Sequence, residues 1–220
     1  MQNKNGQIVH IIDDDPGLRK SLLMLLESSS IAAKAYPSAE EFLSDCDADQ
    51  TGCILLDLRM PGMSGLELLQ NLRSKGNGIP VILMSAHADV PDAVRGMKLG
   101  AIDLLQKPVD TPVLIEAIQR SLKLSETIHA EKVESDAVRQ RFERLTAREL
   151  ELLTYIAEGH LNKQIAVEMG ISVKTVANHR ASLMTKSGAS NAADLARLFT
   201  IYTSYARNSR TPADQGNTLN

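Results

Sequence analysis

Carboxylates, one hydroxyl and one ammonium stand at the ends of apolar runs, where packing alone has no use for them. Ile8-Val9-His10-Ile11-Ile12 runs into Asp13-Asp14-Asp15, and Cys53-Ile54-Leu55-Leu56 runs into Asp57. Val81-Ile82-Leu83-Met84 ends in Ser85, and Ala101 to Leu105 leads to Lys107-Pro108. Carboxylates brought together repel and raise one another's pKa unless a cation neutralises them. Oxygen ligands in a small cleft suit Mg²⁺, which keeps some waters and shares its shell with a phosphate. Asp15 is placed to cap the helix that Pro16 opens. Asp57 has no such use, because Arg59-Met60-Pro61-Gly62 follows it rather than a helix. With Ser85 as hydroxyl donor and Lys107 as point charge, the set reads as a phosphoryl-binding site built on a nucleophilic carboxylate. Lys107-Pro108 also permits a cis bond that would aim the lysine inward.

Something must bring these residues together. A short apolar run bounded by turn residues is the pattern of a strand buried on both faces. Four such runs precede the polar residues, and Ala32 to Tyr36 gives a weaker fifth. Helical spacing fills the gaps: Leu18, Leu22, Leu25 and Leu26; Leu66, Leu69 and Leu72; Val90, Val94 and Met97 with Leu99; then Val113, Leu114, Ile118 and Leu122. Strands alternating with helices predict an α/β fold, a doubly wound parallel sheet covered on both faces. Ligands in such sheets lie at the carboxyl ends of the strands, near the point where strand order reverses. All the misplaced polar residues fall on that edge.

The chain has 220 residues, room for two domains, and its 43% hydrophobic content excludes the disordered class. No apolar run reaches membrane-spanning length, and the start turns acidic too early for a signal peptide. Two cysteines, Cys46 and Cys53, offer neither a disulfide framework nor a cysteine-rich metal site, which fits a reducing cytoplasm. The net charge of -3 hides an asymmetry. Residues 1–120 carry 11 basic and 16 acidic side chains, whereas residues 146–220 carry 8 basic and 6 acidic. Different partners for the two halves follow.

The basic half reads as helices. Thr146-Ala147-Arg148-Glu149 is a capping box. Leu150, Leu153 and Ile156 give the inner face of the helix it starts, and Gly159 lies where a C-cap is expected. Asn162 is placed to cap a short helix carrying Ile165, Ala166 and Met169, which stops at Gly170. Ser172 then caps the longer VKTVANHRASLMTKSG, completing a helix-turn-helix pattern. Wound at about 100° per residue, Val173, Val176, Leu183 and Ser187 fall inward, and Lys174, Asn178, Ala181 and Thr185 outward. Lys174 could meet guanine, Asn178 adenine and Ala181 a thymine methyl, while Thr175, His179 and Lys186 are placed for phosphates. Arg180 falls near the apolar stripe, open to an internal ion pair as much as to DNA. In the last helix, Leu195, Leu198, Phe199 and Tyr202 either close the core or form a dimer contact, with the core taking most of them.

Asp13-Asp14, LLDLRMPGMSG, SAHADV and GAIDLLQKP resemble the receiver domain of two-component response regulators across residues 7–125. LTARELELL, NKQIAVEMGIS and VKTVANHRASLM resemble the LuxR-type DNA-binding domain of the FixJ/NarL class. The resemblance implies a flavodoxin-like (βα)5 receiver over 1–125 and a helix-turn-helix domain over 142–206; between them a charge-rich segment without Gly or Pro reads as a helical linker over 126–141, and the polar end as a disordered tail over 207–220. It implies phosphoryl transfer from a sensor histidine kinase to Asp57. Mg²⁺ would be held by Asp14, Asp57 and the main-chain carbonyl of Arg59, with Asp13 supporting that shell, and Ser85 and Lys107 would contact the phosphoryl oxygens. Promoter DNA, a phosphorylated homodimer and RNA polymerase are the further partners this implies, with no membrane and no ordinary enzymatic activity.

Two departures stand out. Leu104 occupies the position where many receivers carry an aromatic switch residue, so the signal is expected to leave through Ser85 and the following loop, where His87 is either a gate or a solvated histidine. Ala177 and Ala181 stand where some relatives place basic residues, so base preference does not carry over. Two other functions fit parts of the pattern. One is a phosphorylation-independent DNA binder with a vestigial receiver. The other is an aspartyl-phosphate phosphohydrolase, which would want an acid where Arg59 stands.

Overall fold

The computed structural model describes residues 6–46, 50–86 and 90–208, which divide into two compact units, Met1–Ala130 and Glu131–Asn220. In the first, β1 (Ile8–Ile12), β2 (Ala33–Tyr36), β3 (Gly52–Asp57), β4 (Val81–Ser85) and β5 (Asp103–Gln106) form a parallel sheet in the order β2-β1-β3-β4-β5. Helices α1 (Pro16–Ser28), α2 (Ala39–Asp45), α3 (Gly65–Ser74), α4 (Val90–Lys98) and α5 (Thr111–Phe142) connect and extend them. The unbroken apolar runs follow from burial on both faces. Along β3, Cys53 and Leu55 pack with Leu22, Leu26, Leu114 and Ile118 of α1 and α5. Ile54 and Leu56 point the other way, to Phe42, Leu69 and Leu72 of α2 and α3.

The helix starts follow the sequence closely. Asp15 caps α1 by accepting the amides of Gly17 and Leu18, and Ser64 with Glu67 closes a capping box on α3. The strand expected from Ala101 begins at Asp103, although Ala101 is buried.

The expected inner face of α4 is a correction. Val90, Val94 and Met97 are exposed, at 72%, 46% and 48%, and the buried residue is Gly96. A Cβ on Gly96 would overlap Leu83 Cδ1, so the helix lays its backbone on the sheet and its valines face outward. Val113 is likewise exposed, while Leu114 and Ile118 are buried as expected.

His10 is wholly buried in β1, its ring packed on Tyr36 and Phe42, with Nδ1 3.3 Å from the Tyr36 hydroxyl. That hydroxyl donates to Asp45, which also accepts Lys34 Nζ, both at 2.7 Å. Burial pushes the imidazole down from 6.5 to about 4, with Asp45 opposing. Because the folded pKa lies below the unfolded one, the stability His10 confers is complete above pH 6.5 and is lost as pH falls towards 4. Between pH 7 and pH 5, urea titrations should show wild type losing about 2 kcal/mol more than His10→Phe. Parallel losses in the two proteins would mean that the imidazole is not held neutral.

In the second unit, α6 (Ala147–Ala157), α7 (Asn162–Glu168), α8 (Val173–Ser187) and α9 (Ala192–Asn208) close around Leu152, Leu153, Ile156, Ile165, Met169, Val176, Leu183, Leu195 and Leu198. Val138 and Phe142, from the end of α5, are buried in the same core. That stretch read as linker is thus part of one helix and, at its end, part of a core. Leu150 is only half-buried, and Leu152 takes the inner place beside Leu153. Phe199 and Tyr202 pack against the core from α9, with Tyr202 stacked on Phe142. Helix α9 takes in Arg207 and Asn208, and the rest of the tail lies outside the described residues.

Candidate functional site

The chain leaves β1 for β2 on one side and returns to β3 on the other, so the sheet's order reverses between β1 and β3. Asp13 and Asp14 follow β1, Asp57 ends β3, Ser85 ends β4 and Lys107 follows β5. Backbone bonds continue the ladder past the strands: Leu58 N–H donates to Met84 O, and Lys107 N–H to Ser85 O. Carboxyl oxygens of Asp13, Asp14 and Asp57 lie within 4.8 Å of one another. Asp13 is 0% exposed and Asp57 7%, whereas Asp14 is open to solvent.

Asp13 has both oxygens engaged. Oδ1 accepts the Asp15 amide at 2.9 Å, and Oδ2 accepts Lys107 Nζ at 2.6 Å. Its main-chain carbonyl takes Arg19 Nη1 at 2.6 Å, a contact that sequence reading did not anticipate. Lys107 Nζ also lies 3.1 Å from Asp57 Oδ2, and the Lys107–Pro108 bond is cis. Burial pushes the Asp57 carboxyl above its ordinary range; Lys107 opposes this and Asp13 adds to it. For Lys107, burial works downward but the bonds to Asp13 and Asp57 prevail, and the ammonium is held above its usual range. The result is a compact anionic pocket with the Lys107 ammonium inside it and Asp14 facing water.

Such a donor set, oxygen only, fits a hard divalent cation. A span of 4.8 Å is close to the roughly 4.2 Å between opposite ligands of an ion with bonds near 2.1 Å. The loop after Asp57 is tied down from several sides. Met60 is buried, and Met63 N–H donates to Glu40 Oε1 at 3.0 Å. A Cβ on Gly65 would overlap the Asp57 carbonyl oxygen, so only glycine lets α3 begin this close to the site. Leu104 packs partly buried against the α2–α3 core. His87 and Asp89 lie outside the described residues.

The second unit holds a helix-turn-helix. Gly170, at φ 65, turns the chain after α7, and Ser172 caps α8 by accepting Thr175 N–H. Lys174, Asn178, Ala181 and Thr185 are exposed, and Thr175 and His179 half-exposed, as the winding of the helix implies. Two placements differ, and Lys186, exposed like the others, has a partner within the domain. Val173 is 45% exposed, since the first helical residue overhangs the core. Asn162 is not a cap but the first residue of α7; the cap position is Leu161, whose N–H donates to Gln164. The Asn162 side chain instead accepts Arg180 Nη1 at 2.8 Å, giving Arg180 an internal partner. Lys186, expected to face phosphate, places Nζ 2.8 Å from Glu149, which is 3% exposed.

Residues 9–119 match the family described as response regulator receiver domain, and residues 143–199 that described as bacterial regulatory proteins, luxR family. The transcriptional regulatory protein FixJ of Azorhizobium caulinodans is 44% identical over 86% of this chain and 90% of its own. The response regulator protein TodT of Pseudomonas putida is 37% identical over 88% and 85%. Among solved structures, the response regulator StyR is similar at a TM-score of 0.79 and 38% identity, over 90% of this chain and 100% of that one.

Proposed function

Because the chain belongs to the two-component response regulators of the FixJ/NarL class, which join a receiver domain to a LuxR-type DNA-binding domain, we propose that Asp57 is the phosphoryl acceptor that switches its control of transcription. One observation carries this: Asp57, nearly buried at the end of β3, shares the Lys107 ammonium with Asp13. An Asp57 oxygen attacks the phosphorus of a phosphohistidine on a sensor kinase, and the histidine nitrogen leaves. Lys107 then follows the new negative charge onto a phosphoryl oxygen, and Ser85 donates its hydroxyl to another. Mg²⁺ held by Asp14, Asp57 and the Arg59 carbonyl would offset the charge gathering on those oxygens. Asp13, with both oxygens already engaged, supports that shell. A retarded band on a phosphate-affinity gel, formed with acetyl phosphate and Mg²⁺ and lost with chelator, is the expected result. Its absence under conditions that label a control receiver would favour a vestigial receiver.

Phosphorylation works here by population shift, with α4 as the element that moves. The outward Val90, Val94 and Met97 make α4 a surface for a second copy. Asp92, Arg95 and Lys98 beside them carry both signs, as a self-complementary two-fold contact requires. Light scattering should show a dimer for the phosphorylated protein and a monomer for Val94→Asp. A dimer in both would move the interface elsewhere. On the DNA, Lys174, Asn178 and Ala181 face bases, and Thr175 and His179 face phosphates. The receiver is assigned to 1–125, the link to 126–141 and the DNA-binding domain to 142–206. Control of transcription through a LuxR-type domain assigns its site of action to the cytoplasm, where the DNA is; among the described residues no helix is long and apolar enough to cross a membrane.

A further inference from the structure

Glu149 closes the capping box of α6, yet its carboxylate does more. Oε2 accepts Thr146 N–H at 2.8 Å, Thr146 Oγ1 at 3.0 Å and Lys186 Nζ at 2.8 Å. Oε1 accepts Ser182 Oγ at 2.8 Å. Burial alone would raise this carboxyl, but these donors hold it down at about 2, so it stays charged. Ser182 and Lys186 are one turn apart on α8, so a single buried carboxylate grips the helix along one stripe.

The stripe's position gives it a use. At 100° per residue, Ser182 and Lys186 lie about 40° and 80° around the axis from Asn178. Among the described residues the other holds on α8 are the apolar contacts of Val176, Leu183 and Met184, which are non-directional, the buried Ser187 at its end, and Arg180 on the Asn162 amide. A roll of about 30° would carry an outward side chain roughly 3 Å, enough to lose a hydrogen bond to a base. The same pairing cancels the Lys186 charge within the domain, leaving it little to offer a phosphate.

We propose that Glu149 and Lys186 are positioning residues for DNA reading: the pair fixes the roll of α8, and Lys186 is not one of the phosphate contacts. This rests on α8 being the reading helix. The test uses the full-length protein with acetyl phosphate and Mg²⁺, a duplex enriched by wild type from a random pool, and a scrambled duplex of equal length. Affinities are taken by fluorescence anisotropy across a salt series. Lys186→Met should weaken binding to the enriched duplex about tenfold, well beyond the small loss on the scrambled duplex that the unpaired Glu149 charge brings, while leaving both salt slopes unchanged. Lys186→Arg, still able to donate to Glu149, should recover most of the enriched-site affinity. Glu149→Gln should lose preference and bind scrambled DNA more tightly, because it frees the Lys186 charge. Ser182→Ala removes one grip without changing charge, and should cost about threefold on the enriched duplex alone even if the charge variants fold poorly. A slope reduced by about 0.9 in Lys186→Met would make Lys186 a phosphate contact and overturn the proposal. So would Lys186→Met and Ser182→Ala proteins that both match wild type on both duplexes. A wild type that enriches no duplex would overturn the assignment of α8, and this proposal with it.

Discussion

Asp57→Asn should give no retarded band with acetyl phosphate and Mg²⁺, while unfolding no earlier than wild type. The two halves of this result have one cause. An amide oxygen is a poor nucleophile for phosphorus, so phosphorylation falls below detection rather than by a modest factor. Burial already disfavours the ionised carboxylate at this position, and Asp13 adds repulsion that Lys107 only partly offsets. A neutral amide of the same shape removes that penalty and leaves Lys107 paired with Asp13 at 2.6 Å. Loss of the band together with loss of fold would make Asp57 a structural residue. A band that persists would place the phosphoryl group on another side chain, with exposed Asp14 the first to examine.

Most of this site could be read from the chain because its residues break a rule that strands otherwise obey. A buried strand wants apolar residues, so Asp57, Ser85 and Lys107 at the ends of such runs point to a common edge. Periodicity served less well on α4. Val90, Val94 and Met97 have the spacing of a core face, but spacing does not say whether the core or another molecule covers it. Gly96 decided the matter by bringing the helix backbone down onto Leu83. Asn162 misled because capping types also bind distant groups, here Arg180 18 residues away. The capping box on α6 was legible, but bonds from Glu149 to side chains 33 and 37 residues further on lie beyond any local pattern.

Lys107→Met should cost the receiver about 3 kcal/mol in urea unfolding without Mg²⁺, the low end of the range for breaking a buried pair. The methionine keeps much of the volume, so the loss is electrostatic. Asp13 is wholly buried and, among the described residues, would keep only the Asp15 amide at its side chain, while Asp57 would lose the Lys107 ammonium. Two features hold the figure down. Asp14 opens the cluster to water, and Asp57, whose carboxyl already sits high, can relieve part of the strain by binding a proton. Mg²⁺ supplies positive charge to the same carboxylates, so it should restore more stability to the variant than it adds to wild type. At ten times its dissociation constant a ligand contributes about 1.4 kcal/mol, and the variant should bind Mg²⁺ more tightly because no ammonium competes for Asp57. Equal stability of the two proteins without Mg²⁺ would mean that water, not Lys107, balances the carboxylates. Equal gains from Mg²⁺ would mean that cation and lysine do not share the site, and the phosphoryl group would then have to be met by one or the other, not both.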